Sequence, residues 1–101
     1  MTHNCLSLSG IVVKPPKLST SPAGVHHCQF SLEHRSMQIE DGLNRQAYAR
    51  MQVVASGQWS QSLVSELTEG MQITVTGFIN RHESRNGVAK LVLHAQQIEM
   101  I

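Results

Sequence analysis

The sequence predicts a single all-β domain, a small barrel of five strands. Apolar and polar side chains alternate along five segments, turn-forming residues separate most of these segments, and glycines interrupt two of them. A chain of 101 residues buries roughly 65% of its surface on folding, which supports one core but not two. We therefore expect one domain spanning residues 1–101.

The first strand is predicted over Asn4–Val13, where Gly10 indicates a bulge or a tight bend of the barrel. Pro15 and Pro16 end it because proline has no backbone N–H to donate to a neighbouring strand. All three prolines of the chain fall in Lys14–Gly24, together with several hydroxyl residues and a glycine. This stretch is therefore predicted to be a long loop.

The second and third strands form a predicted hairpin. Alternation is clearest over Val25–Arg35, and it returns over Arg45–Ala55. Between them Ser36–Asn44 is predicted to be a polar connection, with Asp41 and Gly42 at the turn.

A change of period follows the third strand. Large apolar residues recur every four positions over Gln58–Glu69, which predicts a short helix or helical turn ending at Gly70. Alternation resumes in a fourth strand over Met71–Asn80, with Gly77 at another bend. A polar loop, Arg81–Ala89, contains the Asn-Gly pair typical of a hairpin turn, and a fifth strand covers Lys90–Met100.

Five strands, with a helical turn between the third and the fourth, are typical of a Greek-key barrel of the OB type. A five-stranded sandwich or an SH3-like barrel is the alternative. Two cysteines are too few for a disulfide scaffold, and no apolar stretch approaches the ~20 residues that span a membrane. We expect no membrane association and a cytoplasmic location.

Catalytic and metal-binding patterns are not found. The six histidines do not combine with the two cysteines into the paired spacings of a zinc site, and His94 is expected to be an ordinary hydrogen-bonded barrel histidine. No nucleophile elbow and no glycine-rich phosphate loop occurs in the sequence. We expect a protein that is not an enzyme and that carries no metal and no cofactor.

The positive charges fall in elements that line the oligonucleotide groove of an OB barrel. Tyr48 and Arg50 share one face of the third strand, which combines a flat ring with a cation as single-strand binding requires. These residues favour nucleic-acid binding over a barrel that contacts only proteins. A cold-shock-like RNA-binding module is a third alternative, but its clustered aromatic strands are missing from a chain with only 4% aromatic residues.

Four segments carry a resemblance to a known family: CQFSLEHRS at 28–36, RQA at 45–47, ITVTGFI at 73–79 and KLVLHAQQIE at 90–99. They resemble primosomal replication protein N (PriB), a relative of bacterial single-stranded DNA-binding proteins. The resemblance implies an OB-fold homodimer that binds single-stranded DNA at stalled forks, near the nucleoid. It further implies partners in replication restart, namely a PriA-type primosomal helicase and a DnaT-type primosomal protein, which reload the replicative helicase.

The resemblance also implies a DNA-binding face. The family's basic or aromatic positions are matched by Arg35, Arg45, Tyr48, Arg85 and Lys90. This chain departs from the family pattern at Ser19, Leu43 and Glu83. We expect Arg81 to compensate in part for Glu83. The nucleic-acid-binding residues predicted from charge, position and resemblance together are Lys17, Arg35, Leu43, Arg45, Tyr48, Arg81, Arg85 and Lys90.

Overall fold

The fold is taken from a computed structural model, which describes residues 2–101. These residues contain six strands and one helix: β1 (Leu6–Val12), β2 (Lys17–Thr20), β3 (His26–Glu40), β4 (Leu43–Ser56), α1 (Trp59–Glu66), β5 (Gln72–Glu83) and β6 (Ala89–Met100). The helix α1 is not long or apolar enough to cross a membrane, and no other helix occurs in the described part of the chain.

Five of the strands close into a barrel in the order β1-β5-β6-β4-β3, and β1 returns to pair with β3 at Ile11 and Val12. Neighbouring strands are antiparallel except β4 and β6, which run parallel. The helix α1 lies between β4 and β5 in the chain, which are the third and fourth strands of the barrel. The predicted OB-type barrel with one short helix is therefore confirmed.

Two glycines allow neighbouring strands to approach closely. A Cβ atom at Gly10 would overlap the backbone carbonyl of Glu33, and one at Gly77 would overlap the backbone carbonyl of His94. The register between β5 and β6 also shifts between Thr76 and Gly77. The bend predicted at Gly77 is thus a β-bulge, which helps the sheet to curve into a barrel.

The structure corrects the predicted loop Lys14–Gly24, because β2 lies within it. All four residues of β2 are exposed, and this strand pairs antiparallel with the start of β3, outside the ring of five strands. An edge strand with no buried side shows no alternation of apolar and polar residues, so the sequence pattern could not reveal it.

The predicted connection Ser36–Asn44 is also wrong. Strands β3 and β4 continue to Glu40 and Leu43, and only Asp41 and Gly42 form the turn, both with positive φ. Residues 36–47 therefore form a two-stranded arm that projects beyond the barrel core. Similarly, β5 extends to Glu83, so that the last loop comprises only residues 84–88. These strand ends place no side chain in the core, so they lack the buried side by which the other strand segments were predicted.

The core is built from the inward side chains of all five barrel strands and from the helix. Leu63 and Leu67 bring α1 onto this core, and the Trp59 indole Nε1 donates a hydrogen bond to the Ser56 carbonyl at 2.8 Å. The largest fully buried side chains are Leu32, Leu67, Ile73, Leu93, Val12, Val53 and Val75. This packing fixes which side of β3 and β4 points outward.

Candidate nucleic-acid interface

The outer face of β3 and β4 carries the odd-numbered residues 29–35 of β3 and the even-numbered residues 48–54 of β4. Their neighbours in sequence, such as Leu32 and Val53, point into the core. Arg35 and Tyr48 are register partners on this outer face, and the Arg35 guanidinium lies over the Tyr48 ring at 5.0 Å from its centroid. The tyrosine is exposed. It therefore presents a flat ring beside a cation, as a single-strand binder requires.

A single carboxylate, that of Glu33, organises this cluster. Arg50 Nη2 lies 2.9 Å from Glu33 Oε2, Arg35 Nε lies 3.3 Å from Glu33 Oε1, and the Tyr48 hydroxyl donates to Glu33 Oε2 at 3.4 Å. The hydrogen bond from Arg50 is the main cause that lowers the pKa of Glu33, with the charge of Arg35 adding to it. The carboxylate therefore stays anionic at neutral pH, and two guanidinium groups converge on it.

The arm places two of the predicted residues on the side opposite to Tyr48. Arg45 is the register partner of Gln38 and pairs with Glu40 through Nε and Oε1 at 3.3 Å. Leu43 shares its side of β4 by alternation and is exposed. The structure thus separates Leu43 and Arg45 from the outer face that holds Arg35 and Tyr48.

The hairpin of β5 and β6 divides its basic residues in the same way. Lys90 is the register partner of His82, whereas Arg81 is the partner of Leu91 and lies on the other side of the hairpin. Arg81 Nη2 forms an ion pair with Glu83 Oε1 at 2.9 Å. Arg85 lies exposed in the loop that connects the two strands.

A groove of about 390 Å³ crosses the barrel strands beside Lys90. It is lined by Gln29, Gln52, Val54, His82, Lys90 and Val92, so the part of the lining that the structure describes includes a cation and no carboxylate. Gln29, Gln52 and Val54 belong to the outer face, which makes the groove continuous with the Arg35–Tyr48 cluster. Lys17 on β2 is the register partner of Gln29 and therefore adjoins the groove at its far end.

Three rings that are distant in the sequence meet on the hairpin of β5 and β6, and one of them, His82, lines the groove. Phe78 and His94 are register partners whose rings lie nearly parallel at 2°, with centroids 4.9 Å apart. His82 Nε2 and His94 Nε2 are 2.9 Å apart. His94 is thus hydrogen-bonded, as expected of a barrel histidine, but its partner is a second histidine 12 positions away. Only the pairing of β5 with β6 could have pointed to it.

The eight predicted residues therefore do not form one patch. Lys17 and Lys90 border the groove, Arg35 and Tyr48 continue its outer face, and Arg85 lies at the hairpin tip; Leu43, Arg45 and Arg81 lie on the opposite sides of their hairpins. Within residues 2–101, no group of three or more histidine, cysteine or acidic side chains is arranged to hold a metal ion.

Comparisons with known proteins identify relatives of the chain. A family model described as another single-strand binding protein family matches residues 4–97. The replication restart protein PriB of Photorhabdus laumondii is 59% identical over 101 residues, which cover all of this chain and 96% of that one. PriB of Yersinia pseudotuberculosis serotype O:1b is 57% identical over the same extents.

Solved structures share the fold at low identity. PriB from Ralstonia solanacearum superposes with a TM-score of 0.80 at 21% identity and covers 98% of each chain. The single-stranded DNA-binding protein from Thermus aquaticus gives a TM-score of 0.82 at 18% identity, covering 98% of this chain and 50% of that one. These two likenesses establish the OB barrel by comparison as well as by topology.

Proposed function

Because the chain belongs to the PriB family of single-strand binding proteins, we propose that it binds single-stranded DNA as a non-enzymatic adaptor in replication restart. The observation that supports this most directly is the groove beside Lys90, which continues into the outer face with Arg35, Tyr48 and Arg50. A strand of DNA in this path meets cations along its backbone and a tyrosine ring for its bases. The cytoplasm, at the nucleoid, is the proposed place of action.

We expect little discrimination between base sequences. Cations act on phosphates, which are the same in every sequence, and a ring stacks on any base. The groove lining offers two glutamine amides as potential base-reading groups, together with apolar and basic side chains. Affinity should therefore depend on strandedness and salt much more than on sequence.

The role in replication restart requires protein partners, and we propose a PriA-type helicase and a DnaT-type protein, which together reload the replicative helicase. The arm supports a protein contact because Met37 and Ile39 are 69% and 77% exposed at its outer end. These two side chains lie on the same side of β3, and contiguous exposed apolar surface is typical of protein interaction sites. An OB barrel that contacts only proteins is the alternative function that this arm favours.

A homodimer is the proposed state of the protein. Strand β1 pairs with β5 along Leu6–Ile11, but its second edge meets β3 only at Ile11 and Val12. Within the described residues, the backbone groups along the rest of that edge have no strand to pair with. An open strand edge of this kind supports pairing with a second copy. Sedimentation at micromolar concentration should give a mass of about twice that of one chain.

The central experiment measures fluorescence anisotropy of labelled oligo-dT, oligo-U and duplex DNA over a range of salt concentrations. We expect oligo-dT to bind more tightly than duplex, with a log–log salt slope of about −0.7 for each phosphate neutralised. Lys90→Ala should weaken binding and flatten the slope by roughly 0.7.

Lys14→Ala is the matched control, since Lys14 is an exposed lysine between β1 and β2 that is not among the groove-lining residues. Tighter binding of duplex than of single strands, or equal losses in Lys90→Ala and Lys14→Ala, would contradict the proposed groove. Failure to bind any single strand, with intact binding to a partner helicase, would favour the protein-only alternative.

A further inference from the structure

Two imidazole rings meet beside the groove, and one of them, His82, belongs to its lining. His82 Nε2 lies 2.9 Å from His94 Nε2, so one ring donates its N–H to the other when both are neutral. One proton is then shared between two nitrogens, and the pair offers the groove no free Nε2–H donor. A second proton would put hydrogen on both nitrogens, break their mutual bond and leave two N–H donors, one of them on a positively charged ring.

Within residues 2–101, neither ring of the pair forms an ion pair with a carboxylate. Towards β4, the register partner of His94 is Val54, and towards β5 its ring is stacked on Phe78. Across the hairpin, His82 is paired with Lys90, and the groove lining otherwise contains only amide and apolar side chains. Burial, followed by the charge of His82, lowers the pKa of His94. The free protein therefore keeps this ring neutral at pH 7.

We propose that the His82–His94 pair is a proton-linked phosphate contact, which takes up one proton when single-stranded DNA enters the groove. This inference rests on the proposed function and adds a regulatory property to the same site. A backbone phosphate beside Lys90 supplies the anion that the protein does not, and the released N–H groups donate to its oxygens. The π-face of Phe78 stabilises the imidazolium that forms.

The sign of the pH dependence follows from this coupling. In the complex, phosphate raises the pKa of His94 above its lowered value in the free protein. Between these two pKa values binding takes up a proton, so affinity increases as the pH falls, by up to about tenfold per pH unit for one proton. Above the pKa of the complex and below the pKa of the free protein, the contribution of the pair to the affinity does not change with pH.

The test compares oligo-dT affinity from about pH 8 to about pH 5.5, a range that brackets the ordinary histidine pKa of ~6.5. Wild-type protein is measured beside His82→Gln and His94→Gln, which keep a hydrogen-bonding side chain but cannot be charged. His27→Gln is the matched control, because His27 bonds Ser56 at 2.8 Å and belongs neither to the groove lining nor to the His82–His94 pair. His82 is exposed, which makes its substitution compatible with folding.

We expect the wild-type and His27→Gln proteins to gain oligo-dT affinity equally as the pH falls, by up to about tenfold per pH unit. The two groove variants, His82→Gln and His94→Gln, should lose this gain. Proton NMR of the His82 and His94 ring hydrogens, with and without oligo-dT, measures the pKa change directly. Equal pH dependence in wild type and both groove variants, or ring pKa values unaffected by oligo-dT, would overturn the inference and leave single-strand binding intact. No binding of oligo-dT at any pH would instead overturn the proposed function, and this inference with it.

Discussion

Replacing Glu33 by glutamine should tighten the binding of single-stranded DNA. The Glu33 carboxylate holds Arg50 at 2.9 Å and Arg35 at 3.3 Å, in the place that a phosphate would take between the same guanidinium groups. The Glu33 side chain is only 15% exposed, whereas both arginines are more than half exposed. Removing the negative charge therefore leaves two cations in position on the outer face with no anion to neutralise them.

The size of the effect follows from the number of arginines released. Each additional phosphate contact makes the log–log salt slope more negative by about 0.7, which corresponds to about a fivefold gain at ~0.1 M salt. Release of one arginine therefore gives about fivefold tighter binding, and release of both gives about 25-fold. The salt slope should steepen by about 0.7 in the first case and about 1.4 in the second.

The assay is a salt titration of labelled oligo-dT by fluorescence anisotropy, with Glu66→Gln as control. Glu66 is an exposed carboxylate on α1, so its substitution changes the net charge equally but away from the groove. Weaker binding by Glu33→Gln would refute the reasoning and show that Glu33 holds Arg35 and Tyr48 in their binding positions. A gain no larger than that of Glu66→Gln would place both arginines outside the DNA path.

The pH dependence separates this effect from that of the histidine pair. Arg50 and Arg35 lower the pKa of Glu33, so its contribution to stability is present above the ordinary carboxyl pKa and is lost only as the pH falls through the lowered value. The ratio of the Glu33→Gln and wild-type affinities should therefore stay constant from about pH 6 to about pH 8, which the same titrations measure.

Three further substitutions test other parts of the structure. Tyr48→Ala should weaken oligo-dT binding by about 1–3 kcal/mol through loss of stacking, and Tyr48→Phe should retain most of it; equal losses in anisotropy titrations would contradict a stacking role. Glu83→Lys places a cation where the chain has an anion between Arg81 and Arg85, so the more positive hairpin should tighten binding and steepen the salt slope; unchanged DNA affinity with reduced stimulation of a partner helicase would assign that side of the hairpin to the partner. Gly77→Ala should lower the free energy of unfolding in urea by at least about 1–3 kcal/mol, because its Cβ overlaps the His94 carbonyl; a midpoint equal to that of wild type would show that the bulge can relax.

The barrel was predictable because each of its strands buries one side. Because successive side chains of a strand point to opposite sides, a strand with one buried side alternates apolar and polar residues. Cys28, Phe30 and Leu32 are the apolar residues of this pattern in β3, and all three are buried. The same alternation placed Tyr48 and Arg50 together on the opposite side of β4, which the structure confirms. Gly77 was recognisable as a bend because only a residue without a side chain tolerates such a close approach.

What lies outside the core depended on tertiary structure. Strand β2 and the outer part of the arm have no side in the core, so alternation due to burial could not predict them. The convergence of Arg35 and Arg50 on Glu33, and of His82 on His94, is set by the register between paired strands. Sequence determined which residues enter the core, since burial acts on each side chain separately. Only the closed barrel decided which outward residues become neighbours, because those contacts join segments whose relative positions are fixed by folding alone.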